Sequence, residues 1–240
     1  VKKTKSIRFY CFSPLVMITT FLIEGFAAGY VLWRYRKDMI AKLIVMTLAS
    51  LAFFQLAEYM VCENAFFLSS LDWARLGYVA ITMLPPLGLH LGSVIAQKKT
   101  GMLIKIAYTN AAAFIIFFLF IGNGMQAEKC LGNYVIFTIA PHASLPYGIY
   151  YHGWLLTGIS LFWRARQQIK NVARKQALTW LVIGYCSFMV PTLIINFVNP
   201  ETIHGIPSIM CGFAVLFAFS LLFKVAPLML KKASSEEYSY

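Results

Sequence analysis

Charge is what this chain has least of. Only 12% of its 240 residues are charged, and only nine are acidic. A soluble domain carries roughly 25% charged residues. With 60% of the residues hydrophobic, that deficit argues against a water-soluble globule of this size. The signatures of common enzyme chemistries are missing too. There is no glycine-rich phosphate loop, no HExxH zinc pair and no GxSxG nucleophile turn. Cysteine occurs five times, never as CxxC and never at metal-ligand spacing with histidine. No paired aspartates sit inside an apolar run. The last apolar run has no central lysine, only Lys224 near its end, which argues against retinal photochemistry. The third lacks the arginine motif expected of a G-protein-coupled receptor, and Asn199-Pro200 falls in a loop. These absences leave no catalytic residue, metal site or cofactor to nominate.

What the chain has is seven long apolar runs, near 12–33, 40–62, 73–96, 103–122, 145–163, 177–198 and 205–226. A membrane-spanning helix needs about 20 mostly apolar residues. The expected fold is therefore all-α and integral to the membrane. A seven-transmembrane helix bundle spans 12–228, with a basic interfacial segment over 1–11 and a short cytoplasmic tail over 229–240.

The net charge of +12 is not spread evenly. Fifteen of the 21 lysines and arginines fall in alternate gaps. These are Arg34, Arg36, Lys37 and Lys42; Lys98, Lys99 and Lys105; Arg164, Arg166, Lys170, Arg174 and Lys175; and Lys224, Lys231 and Lys232. Such loops face the cytoplasm, so the N-terminus is expected outside and the C-terminus inside. The pattern suits anionic membrane lipids and a protein partner at the inner loops, not nucleic acid. Lys2, Lys3, Lys5 and Arg8 run against the rule. They read as a headgroup-binding segment, or alternatively as the start of a cleavable signal.

Two outer features stand out. The loop over 123–144 is long. It joins glycines 122, 124 and 132 to a β-prone run, Tyr134 to Ile139, and reads as a hairpin or lid. Cys62 and Cys130 lie on the same side as this loop, where disulfides form, so they are expected to pair. Cys11 is also outside, while Cys186 and Cys211 read as packing residues. Prolines break the helical pattern at Pro85, Pro86 and Pro191, the candidate hinges, because proline removes a backbone donor. The basic run at 164–176 reads as helical extension of its neighbours.

Ionisable residues inside a bilayer are costly and mark function or structural glue. The acidic ones are Glu24, mid-span, and Glu58, nearer the outer end. Gln55, Glu58, Tyr59 and Cys62 recur at i, i+3, i+4 and i+7, one helical face. His152 sits roughly 10 Å into its span at about 1.5 Å per residue, at a depth like that of Glu58. With Tyr151 and Asn196 it completes a candidate ligand pocket: Gln55, Glu58, Tyr59, Tyr151, His152 and Asn196. The same residues read equally as helix–helix glue.

The stretch from Trp73 to His90, with its Trp73/Arg75 entry, Gly77-Tyr78 and Leu84-Pro85-Pro86, resembles the third helix of the seven-transmembrane sensing regions of bacterial sensor histidine kinases. The resemblance implies a bundle in the bacterial cytoplasmic membrane that senses a small or lipidic ligand. It carries over no catalytic residues. Only ASSEEYSY follows Lys232, so any signal is expected to pass to a separate partner. A membrane enzyme or proton-coupled transporter, with Glu24 and Glu58 as relay carboxylates, is the alternative.

Overall fold

The computed structural model describes residues 14–35, 38–63, 68–98, 100–120, 125–131, 134–199, 202 and 205–230, with the side chains of 126–138 and 141 left aside. The expected N-terminal segment, Cys11 and most of the expected tail lie outside these residues.

Helix α1 (Pro14–Tyr35) is followed by α2 (Met39–Glu63), α3 (Ser70–Thr82), α4 (Leu84–Ala96) and α5 (Gly101–Phe120). Strands β1 (Met125–Leu131) and β2 (Tyr134–Ile139) come next, then α6 (Pro141–Gln168), α7 (Val172–Val198) and α8 (Ile206–Ser220). A π-helical turn, Leu221–Val225, joins α8 to α9 (Ala226–Leu230). Counting α3–α4 and α8–α9 each as one run, six helical stretches are long and apolar enough to cross a membrane. The protein is thus multi-pass and α-helical in kind. α6 is long enough at 28 residues but more polar, and is not one of the six.

The helices stand close to where the sequence puts them, with three corrections. The third apolar run is two helices rather than one kinked helix, parted at Met83 just ahead of Pro85 and Pro86. The loop expected over 123–144 closes earlier, because α6 starts at Pro141 and takes in Pro146. Proline suits a first helical turn, where its missing N–H costs nothing. The basic segment 164–176 is also interrupted: α6 ends at Gln168, and Asn171 caps α7 through the Arg174 amide at 3.1 Å. Pro191 lies within a continuous α7.

The hairpin is the exception to the all-α expectation. β1 and β2 are antiparallel, with Met125 opposite Ile139 and an irregularity between Ala127 and Lys129. β2 coincides with the β-prone run. The hairpin packs on α2, α3 and α8, so it covers one end of the bundle, called here the hairpin end.

Burial shows which helices are central. In α3–α4, 78% of the most apolar stretch is buried, against 17% in α5. α1 buries one narrow stripe, Met17, Thr20, Glu24, Ala27, Ala28 and Val31, which recurs at helical spacing. It packs chiefly on α2, and leaves Phe26 and Trp33 exposed. Close approach is marked at three glycines, with Gly184 of α7 lying against the Phe217 ring of α8. A Cβ on Gly88 would strike the Tyr185 hydroxyl, and one on Gly92 the Phe162 ring. α4 can therefore lie against α6 and α7.

Candidate functional site

Glu58 sits in the last two turns of α2 and is 1% exposed; Glu24 in α1 is 0% exposed. The helices are antiparallel neighbours, and the two carboxylates lie within electrostatic reach of each other. Glu58 receives a hydrogen bond from Ser208 in the first turn of α8. Its Oε1 and both oxygens of Glu24 have no hydrogen-bond partner among the described residues. No lysine or arginine there pairs with either; the Asp72–Arg75 ion pair is at 3.7 Å within the first turns of α3. Leaving a buried polar group without a hydrogen bond costs about 1–3 kcal/mol, so these bare oxygens weaken the fold rather than supporting it.

Around the carboxylates stand Tyr78 of α3 and the free thiol of Cys211, one turn after Ser208, both close enough to feel Glu58. Cys211 also lines a small cavity with Tyr151, Leu155, Tyr185 and Met210. Its volume is ≈ 20 Å³, room for one water, which needs about 10–15 Å³ on this measure.

Beside it runs a tyrosine ladder. Tyr147 Oη lies 3.0 Å from Thr82 Oγ1, and Tyr150 Oη donates to the Thr82 carbonyl at 2.6 Å. Thr82 is four residues before Pro86, which has no N–H to offer it. The hydroxyl replaces the missing helical bond, as buried backbone in a membrane requires. The break at Met83 is thereby fastened to α6.

Of the six expected pocket residues, the structure buries Gln55, Glu58 and Tyr151. Tyr59 is half-buried on the same face of α2. The other two do not join them. His152 Nδ1 lies 3.1 Å from the Gly148 carbonyl of its own helix, and Glu58 is bonded by Ser208 instead. The reason is rotational. α6 turns Tyr147, Tyr151 and Leu155 inward, and a residue one step on points about 100° away. Asn196 Oδ1 accepts from Thr202 Oγ1 at 2.7 Å, which ties it to the loop after α7. Ser208, Tyr78, Tyr185 and Cys211 were missed. Ser208 and Cys211 share a face of α8 at i, i+3, a signal that was available; the partners of Tyr78 and Tyr185 are distant in sequence.

The remaining histidines are elsewhere. His90 Nδ1 is 3.3 Å from Tyr108 Oη, between α4 and α5. His142 is exposed, with its ring edge-on to Phe117. Among the described residues no three His, Cys, Asp or Glu side chains gather as a metal site. Cys186 and Cys211 are free thiols, whereas Cys62 is disulfide-bonded; its partner lies outside the described side chains.

The far end of the bundle is stitched by cations on neutral acceptors. Arg174 Nη1 donates to the Ile95 carbonyl at 3.0 Å, Lys98 Nζ to Gln168 Oε1 at 2.9 Å, and Arg166 Nε to Thr179 Oγ1 at 2.8 Å. The first two join the end of α4 to the α6–α7 turn, and the third joins α6 to α7.

The sequence matches no family model, and no curated protein matches it.

Proposed function

We propose that the chain is a seven-span sensor or ligand-binding module of the bacterial cytoplasmic membrane, with α6 as the remaining span, its N-terminus outside and its C-terminus inside. The hairpin end is then the outer end. The ligand, a small or lipidic molecule, binds there and reports to a separate protein at the basic inner loops. One observation carries this reading. Glu58, Ser208, Tyr78, Cys211 and Tyr151 come from four different helices and meet beside a cavity, under the hairpin, at a cost in stability. The α3–α4 break adjoins that centre through Thr82, Tyr147 and Tyr150, and the inner stitches on Ile95 and Gln168 hold the other end of the same run. This gives a route from ligand to partner. The likeness of Trp73–His90 to sensor histidine kinases agrees with it, and we assign Cys130, on β1, as the partner of Cys62.

The test is a melting-shift screen of the purified protein in nanodiscs against lipids and small metabolites. A compound that raises the melting temperature of the wild type, but not of Glu58→Gln, supports the reading. A screen in which every active compound acts equally on both contradicts it.

The proximity of Glu24 to Glu58 favours a second reading, a proton-coupled transporter or membrane enzyme. Solute flux in proteoliposomes that disappears in Glu24→Gln supports that one instead.

A further inference from the structure

We infer that an anionic phospholipid binds the end of the bundle opposite the hairpin, its phosphate held by Arg166 and Lys224 and its chains laid along α7. The site is separate from the buried centre beneath the hairpin, and the inference does not rest on the proposed function.

Two cations flank α7 at one level. From α6, Arg166 Nε donates to Thr179 Oγ1 at 2.8 Å, and its guanidinium lies 4.8 Å from the centre of the Trp163 ring. From the π-helical turn after α8, the Lys224 ammonium lies 5.1 Å from the centre of the Trp180 ring. Ser220, one turn earlier, fastens this contact by donating to the Trp180 carbonyl at 2.8 Å. Thr179 and Trp180 are consecutive on α7, so both cations sit at the same height along it. Each is steered by neutral partners, and neither pairs with a carboxylate among the described residues. The one described acidic residue at this end, Asp38, is engaged by the amides of Ile40 and Ala41.

What lies between the cations identifies the anion. At 100° per residue, Thr179 and Trp180 fall on either side of a stripe through Ile183, Val190 and Ile194, all exposed. The stripe is uncharged. At 1.5 Å per residue it runs roughly 16 Å toward the hairpin end, about half of a hydrocarbon core of roughly 30 Å. A phosphate at the foot of the stripe meets a guanidinium on one side and an ammonium on the other, where charge-assisted bonds form. Acyl chains then lie on the stripe itself. Trp163 and Trp180 mark the level of the membrane interface, where such rings gather. Positive charge at the foot and an apolar track above it match the two parts of a phospholipid.

The experiment uses the full chain in phosphatidylcholine nanodiscs containing a small fraction of chain-brominated phosphatidylglycerol or, in parallel, chain-brominated phosphatidylcholine. Bromine quenches the tryptophans that its chain touches, Trp163 and Trp180 among them. The wild type is expected to be quenched more by the anionic lipid at equal mole fraction, with a preference of about five-fold for each cation. Lys224→Gln is expected to lower that preference about five-fold, and Arg166→Gln/Lys224→Gln to abolish it. The control Arg164→Gln/Lys170→Gln removes the same charge from exposed positions at the same end and is expected to keep the preference. If the Arg166 variant does not fold, Lys224→Gln alone decides, since its side chain makes a ring contact and no hydrogen bond among the described residues. Equal quenching of the wild type by the two lipids overturns the inference. So does a preference that survives Lys224→Gln, or one that falls as far in the control. Inorganic phosphate, matched in ionic strength with chloride, is expected to leave the preference intact; a preference that it abolishes assigns the cations to a free anion and overturns the lipid site.

Discussion

The Tyr150 hydroxyl lies 2.6 Å from the carbonyl oxygen of Thr82, in the place where Pro86 has no N–H to give. The two residues are 68 positions apart, and their bond repairs a helix broken by sequence. It also joins α6 to the α3–α4 break.

Tyr150→Phe leaves that carbonyl unpaired and is expected to destabilise the protein by about 1 kcal/mol, typical of a membrane hydrogen bond. Pro86→Ala restores an N–H at the right position. In the Pro86→Ala background the same Tyr150→Phe change should have little effect. A double-mutant cycle in denaturant or heat reads the coupling, and two additive single effects would refute this role.

Gly88→Ala places a methyl on the Tyr185 hydroxyl and is expected to cost about 1–3 kcal/mol, the usual penalty of overpacking. Tyr185→Phe removes the closest atom and should recover part of that loss. Gly25→Ala and Gly29→Ala meet nothing within 4 Å and should be neutral or stabilising by about 0.5–1 kcal/mol. Thermal melts of the four variants decide the matter.

Much of this was legible in the sequence, for local reasons. Twenty apolar residues can hardly be anything but a span, so 12–33 and 40–62 fall within two residues of α1 and α2 at each end. Tyr134–Ile139 announces a strand by composition. The α2 stripe through Gln55 and Glu58 is turned inward as its period requires. The failures are non-local. Helix periodicity shows that a residue is on a face, not which neighbour that face meets. Glu58 therefore found Ser208 rather than His152, and depth counting could not detect the rotation of α6. Glu24 and Glu58 read as separate depths, mid-span and nearer the outer end, and only the packing of α1 on α2 brings them within electrostatic reach. The Thr82–Tyr150 bond was half visible: Pro86 announces an orphan carbonyl but not its donor.

The assigned pairing of Cys62 with Cys130 predicts that the Cys130 thiol is unreactive to maleimide in unreduced wild type and reactive in Cys62→Ser. Loss of the bond should lower stability by about 2–4 kcal/mol. A Cys130 thiol that labels in unreduced wild type would refute the pairing.

The seven-span arrangement is checked with single-cysteine reporters and a membrane-impermeant thiol reagent on intact cells. Leu145→Cys, exposed at the start of α6, should label from outside. Lys170→Cys, in the α6–α7 turn, should label only after permeabilisation. The same accessibility for both would mean that α6 does not cross.

The most direct measurement is an experimental density map of the purified protein in lipid, at a resolution that shows ions and waters. The account predicts non-protein density in contact with Glu58 Oε1 or the Glu24 carboxylate, beside the cavity walled by Tyr151 and Cys211. A map in which protein side chains donate to all four carboxylate oxygens, with nothing else bound there, would contradict it.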